Sequence, residues 1–137
     1  MRLIIIGLGI QGAKRLAIAN KDVVATVDPF KKEANYNSIY DVPLHAYDAA
    51  ILCIQDDLKI EFIEYLLQNK KHVMVEKPLF AKNNSQLKKI KNIAERNKVT
   101  LYTAYNHRFE PHFVRMKNLI GSGRLGKIYT VRLFYGN

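Results

Sequence analysis

The sequence has a single cysteine, which excludes an internal disulfide. Cys53 sits in the apolar run AAILCI, so a buried, reduced thiol is expected, as suits a reducing cytoplasm. No base flanks it in sequence, so it is not read as a nucleophile. Long hydrophobic runs are also missing. The apolar start MRLIIIGLGI is broken by two glycines and followed by Lys14 and Arg15, unlike a secretory leader, and no other segment has the length to span a membrane. Acidic residues are few: 12 Asp and Glu stand against 22 Lys and Arg, a net charge of +10. That balance favours an anionic partner such as nucleic acid, a phosphate-bearing cofactor or an acidic substrate. However, many of the lysines lie in LKKIKNIAERNK, interleaved at helical spacing with Leu87, Ile90, Ile93 and Ala94, which is a solvated helix face. No zinc-finger spacing or aromatic RNA-binding strand accompanies the charge, so no nucleic-acid partner is expected. His45, His72, His107 and His112 show no ligand spacing with carboxylates or Cys53, and no metal is expected. No repeat or low-complexity segment is present.

What is there is an alternation of strands and helices. RLIII, VVATVD, AAILCI and HVMV are short, almost continuously apolar runs, the pattern of strands covered on both faces of a parallel sheet. QGAKRLAIAN follows the first as a helix with Leu16 and Ala17 turned inward. DDLKIEFIEYLLQNKK places Ile60, Ile63, Leu66 and Leu67 on one stripe, with Asp56 and Asp57 at its start and Lys70 and Lys71 at its end, as the helix dipole favours. Ser85 is positioned to cap a helix running to about Asn97. TLYTAY reads as a strand, and PHFVRMKNLIGSG as a helix with Pro111 in its first turn. The pattern is an α/β fold with a Rossmann-type doubly wound parallel sheet. The stretch Pro29–Tyr47, where a helix and strand normally stand, has room for a turn of helix and a very short strand only.

GLGIQG is G-x-G-x-x-G at Gly7, Gly9 and Gly12, after a strand and opening a helix. Gly7 permits the tight turn, Gly9 lets a pyrophosphate approach the backbone, and Gly12 lets helix and strand pack closely. The helix N-terminus offers free N–H groups to phosphates. Asp28, about twenty residues on at the end of the second strand, suits the ribose hydroxyls. Its charge repels a 2′-phosphate and favours NAD, with NADP as the alternative because Lys31 and Lys32 follow.

VMVEKPLF ends a strand in Glu76, Lys77 and Pro78. This strand is expected to be the first beyond the point where the strand order reverses, near a bound nicotinamide. There Lys77 can take or hold the proton of a hydroxyl being oxidised, Glu76 can orient Lys77 or accept from a ribose, and Pro78 can fix the turn through a cis bond.

GLGIQG, Val27-Asp28, KKHVMVEKPLF, AYNHRFEP and GRLGKIYTVR occur in an order that resembles the glucose–fructose oxidoreductase and inositol dehydrogenase family (Gfo/Idh/MocA), over nearly the whole chain. The resemblance implies a catalytic role for Lys77. It implies cofactor contacts at Gly7, Gly9, Ile10, Gln11, Gly12, Asp28, Ile54, Glu76, Asn106 and Arg108, with Tyr105 also at the cleft; His107, by its place inside YNHRF, is the one histidine read as a cleft residue. Members oxidise or reduce hydroxyl groups of sugars, cyclitols and nucleotide-linked sugars. Three departures are visible. Ile54, Gln55, Asp56 and Lys59 replace the family's threonine-proline-asparagine and following histidine, which bears on the adenine side. The Pro29–Tyr47 segment is short. The family's second α/β domain, with its catalytic aspartate and histidine, is represented only by KIYTVRLFYGN.

The expected organisation is a dinucleotide-binding domain over 1–122 and the start of a truncated substrate domain over 123–137. Alone, such a chain is expected to bind NAD(H) without turning over sugar. The apolar strand Lys127–Tyr135 would have an unpaired edge, and a homodimer through it is one outcome. A non-catalytic NAD-sensing module and a charge-driven nucleic-acid binder are the competing readings.

Overall fold

Strand β1 (Leu3–Ile6) contains three consecutive isoleucines, Ile4 to Ile6, each at most 2% exposed. Successive side chains of a strand point to opposite faces, so burying all three requires cover on both. The computed structural model, which describes residues 1–134 and 136, shows how the cover is built. The chain forms two compact units, Met1–Ala104 and Tyr105–Asn137.

In the first unit β1 leads into helix α1 (Ile10–Ala19), strand β2 (Val23–Val27), strand β3 (Ala49–Leu52), helix α2 (Asp56–Gln68), strand β4 (His72–Val75), helix α3 (Asn84–Asn97) and strand β5 (Leu101–Thr103). All pairings are parallel and the order is β2-β1-β3-β4-β5. The strand order reverses between β1 and β3, and right-handed crossovers put α1 on one face and α2 and α3 on the other. The main core lies on the α2–α3 face: Ile4, Ile6, Ala50, Leu52, Val73 and Val75 from the sheet against Ile60, Ile63, Leu66, Leu67, Ile90 and Ile93. The apolar stripe read for α2 is thus buried as expected. On α1, Leu16 is half-buried as expected but Ala17 is exposed; Gly12 is buried, and Arg15 and Ala19 are half-buried with Leu16. The cap of α3 is also corrected. Asn83, not Ser85, accepts from the Gln86 N–H at 3.0 Å, two residues earlier than expected.

The short β2–β3 connection holds two single-turn 3₁₀ segments, Ile39–Asp41 and Leu44–Ala46, and one isolated bridge, Val27 to Tyr36. Ile39, Val42 and Tyr47 from it are buried in the α2–α3 core. The Tyr47 hydroxyl is buried with no hydrogen-bond partner among the described residues.

The second unit contains a 3₁₀ turn (Asn106–Phe109) and helix α4 (Pro111–Gly121), with Pro111 in its first turn and Gly123 at φ +71° beyond its end. The boundary expected at 122 would have put α4 with the nucleotide domain; by compactness it groups with the C-terminal stretch. The strand expected at Lys127–Tyr135 is not formed over 127–134, and Tyr135 lies outside the described residues. Val, Ile and Tyr favour strands only where a partner strand exists, and no described strand pairs with this stretch. Among the described residues no helix is long and apolar enough to cross a membrane.

Candidate functional site

The carboxyl ends of the strands bring the first group of residues together. Gly7 adopts φ +89°, and its N–H donates to the Val27 carbonyl at 2.8 Å. A Cβ on Gly12 would stand 1.8 Å from the Gly7 carbonyl oxygen, so the helix can enter this close only as glycine. Gly9 is different: a Cβ there would meet nothing within 4 Å. Its outer side is open space, beside the first N–H groups of α1, which have no partner within the helix. Ile10 is 79% exposed and Gln11 exposed at the same rim. The first turn of α1 carries no acidic residue, so nothing on the helix competes with an anion for those N–H groups.

Asp28 closes the other side. It is buried, and its Oδ2 accepts from the Leu8 N–H at 2.7 Å while Oδ1 accepts from the Phe30 N–H at 2.9 Å. One carboxylate thereby ties the end of β2 to the glycine turn at the end of β1. Each oxygen keeps a second acceptor position. An opening of about 300 Å³ runs between them, lined by Gly9, Asp28, Phe30, Ser38, Ile54 and Leu58 among others. Phe30 is nearly fully exposed at its edge and Ile54 half-buried in its wall. An open glycine backbone, uncompeted helix N–H groups and a carboxylate at the neighbouring strand end fit the pyrophosphate and ribose of a dinucleotide.

Glu76, Lys77 and Pro78 follow β4. The expectation that they end the first strand past the reversal needs correction. That strand is β3, and β4 is the next one out. The distance is bridged by a residue the sequence reading missed. Arg15, on α1 one turn past Gly12, donates from Nε to Glu76 Oε1 at 2.6 Å, with Nη2 2.5 Å from the same oxygen. Glu76 is 7% exposed, so the pair holds a nearly buried carboxylate beside the glycine turn. Lys77 is exposed, and the Lys77–Pro78 bond is cis as expected.

Lys59 is the second residue that reading misplaced. It is not at the adenine side. The residue is 1% exposed, and its Nζ lies under the turn, donates to the Glu76 carbonyl at 2.7 Å and the Pro78 carbonyl at 2.8 Å, and pairs with Asp56 Oδ1 at 2.6 Å. Cys53, between the two regions, has its thiol pushed up to about 11 by burial and then by the nearby Glu76 carboxylate, which keeps it protonated and unreactive at neutral pH.

Tyr105, Asn106, His107 and Arg108 are exposed in the second unit, the last three in its 3₁₀ turn. There the Arg108 guanidinium lies 5.6 Å from the Phe109 ring centre, and Glu110 pairs with His107 Nδ1 and with His112 Nε2.

Comparison with known proteins gives a consistent pattern. Residues 1–105 match a family model described as an oxidoreductase family, NAD-binding Rossmann fold. A myo-inositol 2-dehydrogenase of Thermotoga maritima is 29% identical over 86 residues, 63% of this chain and 25% of that protein. A D-xylose 1-dehydrogenase [NADP(+)] of Haloarcula marismortui is 26% identical over 107 residues, 77% of this chain and 29% of that protein. The fold superposes on the WlbA dehydrogenase of Bordetella pertussis, solved with NADH and UDP-GlcNAcA, with a TM-score of 0.78 at 22% identity, covering 94% of this chain and 45% of that one. The chain thus spans about a quarter to under half the length of these relatives.

Proposed function

The chain belongs to this oxidoreductase family, and from that premise we propose that it is the cofactor-binding part of a dehydrogenase acting by hydride transfer on a hydroxyl or keto group of a sugar, cyclitol or nucleotide sugar. The observation that carries the reading is the opening between Gly9 and Asp28, whose two sides match the two halves of a nucleotide diphosphate. Gly9 and the N-terminus of α1 hold the pyrophosphate, flanked by Ile10 and Gln11. Asp28 accepts from the adenosine ribose hydroxyls with the acceptor positions that Leu8 and Phe30 leave, and Ile54 packs beside it. NAD(H), when bound, supplies the hydride acceptor or donor.

Glu76 turns its second oxygen, Oε2, to the other ribose, since Arg15 engages Oε1. Lys77 is the exposed ammonium that takes up or returns the proton of the reacting hydroxyl. Residues 1–137 by themselves are proposed to bind NAD(H) without turning over a sugar, because the relatives carry more than half of their length outside the matched region. The substrate classes are those named for the relatives, inositol and xylose among them.

Calorimetric titration with NADH and NADPH tests this. NADH is expected to bind with a dissociation constant on the order of micromolar, with NADPH weaker by about tenfold because a 2′-phosphate would face the Asp28 carboxylate. Tighter NADPH binding would mean that Lys31 and Lys32 outweigh Asp28 and would reverse the cofactor preference. Binding of neither would overturn the proposal.

A further inference from the structure

We propose that Lys59 is a positioning residue for the Glu76–Pro78 turn, clamping the backbone on both sides of Lys77 so that its side chain stays presented at the sheet edge. The inference rests on the reading of that turn as the one facing the nicotinamide end of the cofactor. The ammonium of a lysine that is only 1% exposed is unfavourable unless its donors are satisfied. Lysine has three, and here all three have an oxygen: Asp56 Oδ1, the Glu76 carbonyl and the Pro78 carbonyl. The two carbonyls bracket Lys77 in the chain, and Asp56 opens α2, so one side chain anchors the turn to a helix packed against the sheet.

Arg15 reaches the same turn from α1 and fixes the Glu76 carboxylate. The turn that carries the catalytic candidate is therefore held by two cations from two helices, one on its backbone and the other on the Glu76 side chain. A leucine or methionine at position 59 would fill the volume equally well. It would leave both carbonyls without a donor and the turn free to move.

The test uses the full chain and Lys59→Met, with two ligands. ADP-ribose carries the adenosine and pyrophosphate but no nicotinamide, whereas NADH carries both ends. Lys59→Met is expected to weaken NADH by about tenfold while ADP-ribose stays within about twofold, because only the turn is released. Backbone ¹⁵N relaxation is expected to show loss of order at Lys77 and Leu79, with β4 unchanged. A parallel loss of both ligands, or none, would overturn the assignment.

If Lys59→Met does not fold, Asp56→Ala removes the tether from a half-exposed position and should show the same selectivity at about threefold; parallel losses there overturn it equally. Should the wild-type chain bind neither ligand, the cofactor reading fails, and relaxation alone decides for Lys59. Disorder confined to residues 76–79 supports the clamp, whereas unchanged order or disorder throughout the chain refutes it.

Discussion

Replacing Gly9 and Gly12 separately by alanine separates the folding role of the glycine turn from its binding role. At Gly12 an added Cβ lies 1.8 Å from the Gly7 carbonyl oxygen, where real contacts do not fall below 3.0 Å. The turn and the helix must therefore part by about 1.2 Å, and both are backbone, so no flexible side chain can yield. Overpacking of this kind costs about 3 kcal/mol, which for a unit of this size lowers the melting temperature by roughly 10–20 °C. At Gly9 the backbone has φ −66° and ψ −169°, open to any residue, and the added methyl meets nothing within 4 Å. Gly9→Ala should leave stability within about 0.5 kcal/mol of wild type. It should nevertheless weaken NADH at least about tenfold, near 1.4 kcal/mol, because the methyl occupies the side from which the pyrophosphate approaches. The assays are thermal denaturation of the free chain and titration with NADH. Wild-type affinity in a stable Gly9→Ala chain would refute the proposed path of the pyrophosphate, and wild-type stability in Gly12→Ala would refute the packing argument.

Arg15→Met leaves the nearly buried Glu76 carboxylate without its cation and should cost about 2–4 kcal/mol in denaturant unfolding; adding Glu76→Gln should recover part of it, and strict additivity of the two changes would count against the pair. Tyr47→Phe removes a buried hydroxyl that has no partner among the described residues, so stability should hold or rise by up to about 1 kcal/mol, and a loss above that would reveal an unseen bond. Cys53 should react with a disulfide reagent at pH 8 far more slowly in the native than in the unfolded chain. Because its folded pKa is raised, its contribution to stability is full below the ordinary thiol range and declines as pH rises toward about 11; equal labelling rates in both states would contradict this.

The glycine turn, Asp28 and the apolar strands were legible in the sequence because their constraints are local. A left-handed turn, a close helix approach and burial on both faces each leave a mark on the residues concerned. The alternation of these elements was enough for the parallel sheet. What escaped lies in contacts between distant residues. Nothing around Arg15 points to Glu76, 61 positions away, and Lys59 read as a substitution near the adenine rather than as the support of a turn 17 to 19 positions on. The inward face of α1 was misjudged at Ala17, which is exposed. The cap of α3 slipped from Asn83 to Ser85 because both residue types cap well and only backbone direction separates them. The stretch 127–134 has strand composition, but composition does not supply a neighbouring strand.

The bridge between Val27 and Tyr36 has a consequence for how the chain behaves at high concentration. β2 is an outer strand, and its outward backbone groups would otherwise be a template for adding another chain. The shortened connection takes up those at the carboxyl end of the strand: Asn35 Oδ1 accepts from the Thr26 N–H, Tyr36 N–H donates to the Thr26 carbonyl, and the Asp28 N–H donates to the Tyr36 carbonyl. A few loop residues thus serve as a stopper on a growth front, so a segment trimmed of its helix and strand still shortens the stretch of that side open to aggregation.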